Sequence, residues 1–226
     1  MRIGIMASVV GAGMLMGGTA LADDAAVPSG IEVGLRAGYA IALGNVADQS
    51  KMSDSIGGAI PIWIDAGYRL ASPNLFLGAY FQYGIGMVSG KTSDACKNGV
   101  SCSASVLQYG IQAHYHIMPD ATFDPWVGLG IGLENANLNV SASGQSASQG
   151  VNGIDFAILQ LGGDYHVMPA LGIGPVIMFG LGQYSGYSAS QGGQSSSGSF
   201  GSNGAPNASM HEWLTIAIRG VYDISL

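Results

Sequence analysis

Hydrophobic and polar residues alternate along this chain. In "IEVGLRAGYAIAL" the residues Ile31, Val33, Leu35, Tyr39, Ile41 and Leu43 share one parity, and Glu32, Gly34, Arg36 and Gly38 share the other. Successive side chains of a strand point to opposite faces, so a period of two predicts a strand with one oily face and one small or polar face. The same beat predicts seven more strands, over 60–70, 75–87, 107–117, 126–134, 157–167, 171–182 and 214–226. No charged residue falls on the oily side of any of the eight segments as bounded here.

The connections alternate as well. "ASPN", "MPDATFDP" and "MPA" are short, whereas "GNVADQSKMSDSIGG", "SGKTSDACKNGVSCSA", "NVSASGQSASQGVNG" and "SGYSASQGGQSSSGSFGSNGAPNASM" are long and rich in serine and glycine. Short turns at one end and long loops at the other are the signature of a transmembrane barrel. Lipid cannot satisfy an open strand edge, so the eighth strand is expected to close on the first. The expected fold is all-β: an eight-stranded antiparallel up-and-down transmembrane β-barrel over 31–226. Pro175 within the seventh strand lacks a ladder donor and predicts a local bulge or bend.

A soluble barrel with its oily face inward alternates in the same way, so composition has to decide. Charged residues make up 9% of the chain, against roughly 25% in ordinary globular domains. The face opposite the oily one is mostly Gly, Ala and Gln, too poor in charge to be a water-facing exterior but suited to a narrow eight-stranded lumen. Tyr68, Tyr115, Tyr165 and Tyr222 end the oily faces beside the short turns, as an interfacial aromatic girdle would. The oily face is therefore expected to meet lipid.

The first 22 residues give a compartment. Arg2, an apolar run and Ala20-Leu21-Ala22 form the three parts of a cleavable signal peptide. Residues 1–22 are expected to be removed and 23–30 to form a short periplasmic segment. The net charge of −7 is spread over scattered acids with no basic patch, so nucleic-acid binding is excluded. Cys96 and Cys102 are expected to pair as a local disulfide in an exported chain.

The end of the chain carries a resemblance. In "GVYDISL", Tyr222, Ile224 and Leu226 alternate up to the final residue, which resembles the C-terminal signal read by the machinery that inserts bacterial outer-membrane barrels. The usual last residue there is aromatic, and Leu226 departs from it. The chain resembles the small eight-stranded group that includes the transmembrane domain of outer membrane protein A and outer membrane proteins X and W. That resemblance implies a monomer in the Gram-negative outer membrane with both termini periplasmic. Its partners would be outer-membrane lipids, the insertion machinery during assembly, and an extracellular partner at the loops. It carries over no catalytic residue and no cofactor.

The inward face holds the candidate chemistry. Glu32 and Arg36 (first strand), Asp65 and Arg69 (second) and Arg219 and Asp223 (eighth) lie on one wall once the barrel closes. Charges in a narrow lumen are costly unless paired, so these six are expected to form an ionic network that plugs it. A charged constriction in a narrow ion path is the competing reading. His114, His116 and His166 near the short turns raise a metal site, against which strand 5 separates the last from the first two. "YHIMP" and "YHVMP" read better as the turn-side hem of the barrel, and no metal is assigned. An outer-membrane lipid-modifying enzyme needs a serine activated by a base; His211 beside Glu212 and the loop serines could supply one, but no specific motif supports it. The expected function is non-enzymatic, structural or surface-interacting, with transport of small hydrophobic molecules past Trp63, Tyr80, Met178 and Trp213 as the alternative.

Overall fold

The structure, a computed structural model, describes residues 29–48, 50–97, 99–202 and 204–225. The expected signal peptide, nearly all of segment 23–30, and Leu226 lie outside the described residues.

Eight long strands form one closed antiparallel ring. They are β1 (Gly30–Ala47), β2 (Ile56–Leu70), β3 (Leu75–Val88), β4 (Val100–His116), β5 (Phe123–Ala142), β6 (Gln145–Met168), β7 (Leu171–Gln191) and β8 (Met210–Ser225). Each pairs with the next in sequence, and β8 returns to pair with β1 from Gly30↔Ser225 to Gly44↔His211. Closure leaves no barrel edge unpaired, as a hydrocarbon surrounding demands.

Burial is inverted relative to a soluble protein. Leu35 is 54% exposed while its neighbour Arg36 is 1% exposed. Along the ring Ile64, Leu77, Phe81, Ile111, Leu129, Leu161, Ile177 and Ile216 face outward, and Glu32, Asp65, His114, Glu134 and Arg219 are buried. A continuous exposed apolar band of this extent belongs in lipid. It excludes the soluble barrel, whose oily face would be inside.

The facing yields a direct test on adjacent residues. Ile111→Arg, placed in the outward band between Tyr109 and Tyr115, is expected to cost about 2–4 kcal/mol of stability in vesicles, as charges do on the lipid face of such barrels. The same substitution at buried Gln112 would not incur that lipid cost. Urea unfolding that ranks the two the other way would reverse the facing.

The loop end is more ordered than its composition predicts. Strands β5 and β6 run on through "NVSASGQSASQGVNG" and meet at Ser143 and Gly144, both with positive φ. Two positive-φ residues make the tight turn whose twist matches flanking strands. Gly192 and Gly193 do the same at the end of β7, and Gln194–Ser199 folds back onto Gly186–Gln191. Both tracts read as loops because serine and glycine mask the alternation that pairing still permits. In the first long loop a single turn of 3-10 helix (Met52–Asp54) brings Met52, 2% exposed, over the barrel mouth. In the second, Cys96 and Cys102 are disulfide-linked with Cα atoms 5.7 Å apart.

Pro175 differs from its expected bulge. It sits opposite Ile218 in register, and ladder pairing with β6 is interrupted between Gly162↔Val176 and Tyr165↔Ile173 without a shift. The missing donor opens a gap in the ladder and leaves the strand count intact.

Candidate functional site

The six charged residues expected on one wall are brought there by β8, β1 and β2, which are neighbours in the ring. Arg36 and Arg219 are direct cross-strand partners, a repulsive placement for like charges. Asp65 offsets it: its carboxylate lies 3.2 Å from Arg36 Nε and 3.4 Å from Arg219 Nη2. Gly34, opposite Asp65 in the ladder, makes the room, since a Cβ there would fall 2.6 Å from the carboxylate. Glu32 takes Arg219 Nη2 at 2.6 Å and Arg69 Nη1 at 3.5 Å. Asp223 is 3.6 Å from Arg69.

The cluster does not stop at that wall. Arg219 Nη1 reaches Asp164 of β6 at 2.6 Å, and Arg69 Nη2 reaches Asp124 of β5 at 2.9 Å. Asp124 also holds His116 Nδ1 at 2.7 Å. Arg36 Nη1 donates to Gln160 at 2.5 Å, and Gln160 Nε2 donates to Gln112 at 3.0 Å. Aromatic rings pack beside the charges: Phe76, His114 and Trp126 stack in sequence at 4.9 and 4.5 Å. Both Arg36 and Arg219 lie over Trp126, with guanidinium carbons 5.6 and 5.2 Å from the ring centre. Three buried arginines thus meet carboxylates from five strands, with charge-assisted contacts spanning the lumen.

Sequence reasoning misses Asp124 because it falls in "MPDATFDP", which reads as a turn. Strand β5 begins at Phe123, and Asp124 is buried. Carrying the alternation back from Trp126 would place it inside. Asp164 and Gln160 are assigned to the inward face by the same alternation, but nothing in it joins them to the network.

The histidines divide. His114 Nε2 is 3.3 Å from Arg36 Nη2. His114, His116 and Glu32 do bring ligand atoms within 4.8 Å of one another, but Arg36, Arg69 and Arg219 already occupy that region. His166 stays at the turn, its Nδ1 3.3 Å from the Ala121 carbonyl. The four turn-side tyrosines, Tyr68, Tyr115, Tyr165 and Tyr222, are all outward and exposed.

A second polar cluster lies in the loop half of the lumen. Glu134 of β5, Asp155 of β6 and His211 of β8 are all buried. His211 Nε2 is 3.4 Å from Glu134 and 3.7 Å from Asp155. Tyr184 O–H and Trp213 Nε1 donate to Glu134, and Gln108 Nε2 donates to Glu134 at 2.7 Å and Asp155 at 3.1 Å. His211 therefore points into the barrel, away from the serine-rich loops, and its carboxylate partners are not Glu212. A β-bulge between Asp155 and Ala157 explains why the sequence conceals Asp155. Its parity matches the oily residues, and the extra residue returns it to the lumen.

The residues expected to line a hydrophobic passage are packed. Trp63 stacks on Tyr80 at 4.3 Å, Met178 Sδ is 3.3 Å from Arg36 Nη1, and Trp213 is held by Glu134. Nearer the loops, a cavity of about 150 Å³ is lined by Val46, Met52, Ile56, Leu138, Val151 and Tyr184 among others.

Solved structures share this architecture. The Neisserial surface protein A is 14% identical and superposes with a TM-score of 0.51, over 87% of this chain and 99% of that one. A major outer membrane protein from Thermus thermophilus is 13% identical, with a TM-score of 0.60 and the same coverage. The outer membrane protein OprG from Pseudomonas aeruginosa is 13% identical, with a TM-score of 0.52 over 90% of this chain and 100% of that one. No protein-family model matches the chain, and no curated protein matches it in sequence. The chain has the fold of the small outer-membrane β-barrels.

Proposed function

We propose that this chain is an integral outer-membrane barrel whose lumen is plugged, with both termini in the periplasm, and that its role is structural and surface-presenting. The observation that carries the plug is the pair of spans three strands wide, Arg69 of β2 to Asp124 of β5 and Arg36 of β1 to Gln160 of β6, tied together by Arg219, which joins Glu32 on β1 to Asp164 on β6. An eight-stranded interior is just wide enough for side chains, and here rings and guanidinium groups fill it from both sides. Moving an ion through would mean breaking buried pairs, each costly to open. The Ser- and Gly-rich hairpins of β5–β6 and β7 then become the surface offered to an extracellular partner. The outward tyrosines Tyr68, Tyr115, Tyr165 and Tyr222 serve as the periplasmic girdle, and the shared fold supports the outer membrane as the location.

Planar-bilayer recording tests this reading. The wild-type barrel is expected to give no steady conductance steps. Steady steps whose size shifts in Arg219→Ala would establish a charged constriction in place of a plug.

One observation favours the transport alternative: the loop-side cavity includes Val46, Met52, Ile56, Leu138 and Val151 in its lining, beside Ser50, Ser55, Asn137 and Gln149. Its lining includes buried Tyr184, which donates to Glu134, however, and the Trp63 and Tyr80 rings that a solute would have to pass are stacked on one another. Faster entry of a long-chain alcohol into vesicles carrying the barrel than into empty vesicles would favour transport over the structural role.

A further inference from the structure

We infer that Glu134, Asp155 and His211 form a binding site for one divalent transition-metal ion, of the zinc class, in the loop half of the lumen. This goes beyond the plug and does not depend on whether the arginine network bars ions.

The first ground is geometric. The ligand atoms of these three buried residues lie within 4.8 Å of one another. His211 Nε2 stands 3.4 Å from Glu134 Oε2 and 3.7 Å from Asp155 Oδ1. Charge-assisted N–H···O contacts run at about 2.7–2.9 Å, and the same lumen reaches that value where histidine and carboxylate simply pair, His116 to Asp124 at 2.7 Å. Zinc bonds of about 2.1 Å in a tetrahedron separate ligand atoms by about 3.4 Å. The His211 contacts match that edge and are long for direct pairing.

The second ground is charge. The turn-side carboxylates face Arg36, Arg69 and Arg219. Glu134 and Asp155 have no Lys or Arg ion pair among the described residues; their donors are Gln108, Tyr184, Trp213 and His211. Two buried carboxylates beside one imidazole leave a negative excess that a divalent cation neutralises. Neutral donors hold both carboxylates: Tyr184 and Trp213 donate to Glu134 Oε1, Gln108 and Trp213 to its Oε2, and Gln108 to Asp155 Oδ2, as a shell that orients metal-bound carboxylates does, and Tyr184 lies flat against the His211 ring at 3.9 Å.

The third ground is an unused group. The Tyr80 hydroxyl is buried, has no hydrogen-bond partner, and lies within electrostatic reach of Asp155 and Glu134. A water completing the coordination of an ion held between those carboxylates would offer it an acceptor. The loop-side cavity approaches the site as far as Tyr184, which donates to Glu134 and stacks on His211. One nitrogen and two carboxylate oxygens suit zinc, cobalt or manganese better than magnesium or calcium, which seek all-oxygen shells.

Calorimetry on the detergent-extracted barrel, stripped with chelator and titrated with zinc chloride, tests the site. One ion is expected per chain, with micromolar or tighter affinity, and magnesium should not compete. Glu134→Gln and Asp155→Asn keep the size and most hydrogen bonds, and each should weaken binding by at least about tenfold while retaining heat-modifiable gel mobility. Cobalt bound to the unmodified barrel should show the visible bands of a low-symmetry four- or five-coordinate ion, a readout that needs no variant to fold. Millimolar binding to wild type, affinity unchanged in folded Glu134→Gln, or binding lost instead in His116→Ala would each overturn the assignment.

Discussion

Arg219→Met is expected to lower the stability of the barrel by about 3–5 kcal/mol, measured by urea unfolding in lipid vesicles. The magnitude is that of removing one partner from a buried ionic cluster. Arg219 is the shared counter-ion of Glu32, Asp65 and Asp164, at 2.6, 3.4 and 2.6 Å. Methionine fills most of the space but leaves three buried carboxylates competing for Arg36 and Arg69. The loss comes from stranded charge, so removing charge should recover part of it. Adding Glu32→Gln and Asp164→Asn to Arg219→Met is expected to restore stability toward wild type, although each carboxylate variant alone is destabilising. Additive losses across the three sites would mean that they act independently, and would remove the case for a single network.

That network is legible in part because barrel closure is a strong constraint. Alternation assigns Glu32, Arg36, Asp65, Arg69, Arg219 and Asp223 to one face, and closing β8 on β1 makes their strands neighbours. The partners across the lumen are harder to read, because which inward residues meet depends on strand stagger and side-chain length. Asp164 joins Arg219 and Asp124 joins Arg69 through that depth alone. The loop-half cluster escapes for other reasons. A bulge hides Asp155, while Tyr184 and His211 continue the alternation of β7 and β8 past the points where serine and glycine make the strands appear to end. Period-two patterns locate the lipid-facing band well because lipid forbids exceptions. Beyond the band, water and side chains tolerate either face, and the signal fades although the pairing continues.

Trp126→Ala is expected to cost about 3–5 kcal/mol, the range for truncating a large buried aromatic, and also to open the lumen. Trp126 is 1% exposed and lies across Gly162, where a Cβ would come within 2.3 Å of the ring. The indole is the common surface beneath Arg36 and Arg219 and stacks on His114, so removing it takes away packing and cation–π attraction together. Its Nε1 has no hydrogen-bond partner, and Trp126→Phe therefore loses no hydrogen bond and should retain most of the stability. The void left by alanine is bordered by guanidinium and imidazole groups, which favour water over an empty cavity. A hydrated gap beside the arginines is the shortest route past them. Small conductance steps, weakly anion-selective, should accordingly appear in Trp126→Ala and stay absent in Trp126→Phe and wild type. A destabilised Trp126→Ala barrel that remains silent in bilayers would show that the ion pairs close the lumen without the ring, and would shift the plug from aromatic packing to charge alone.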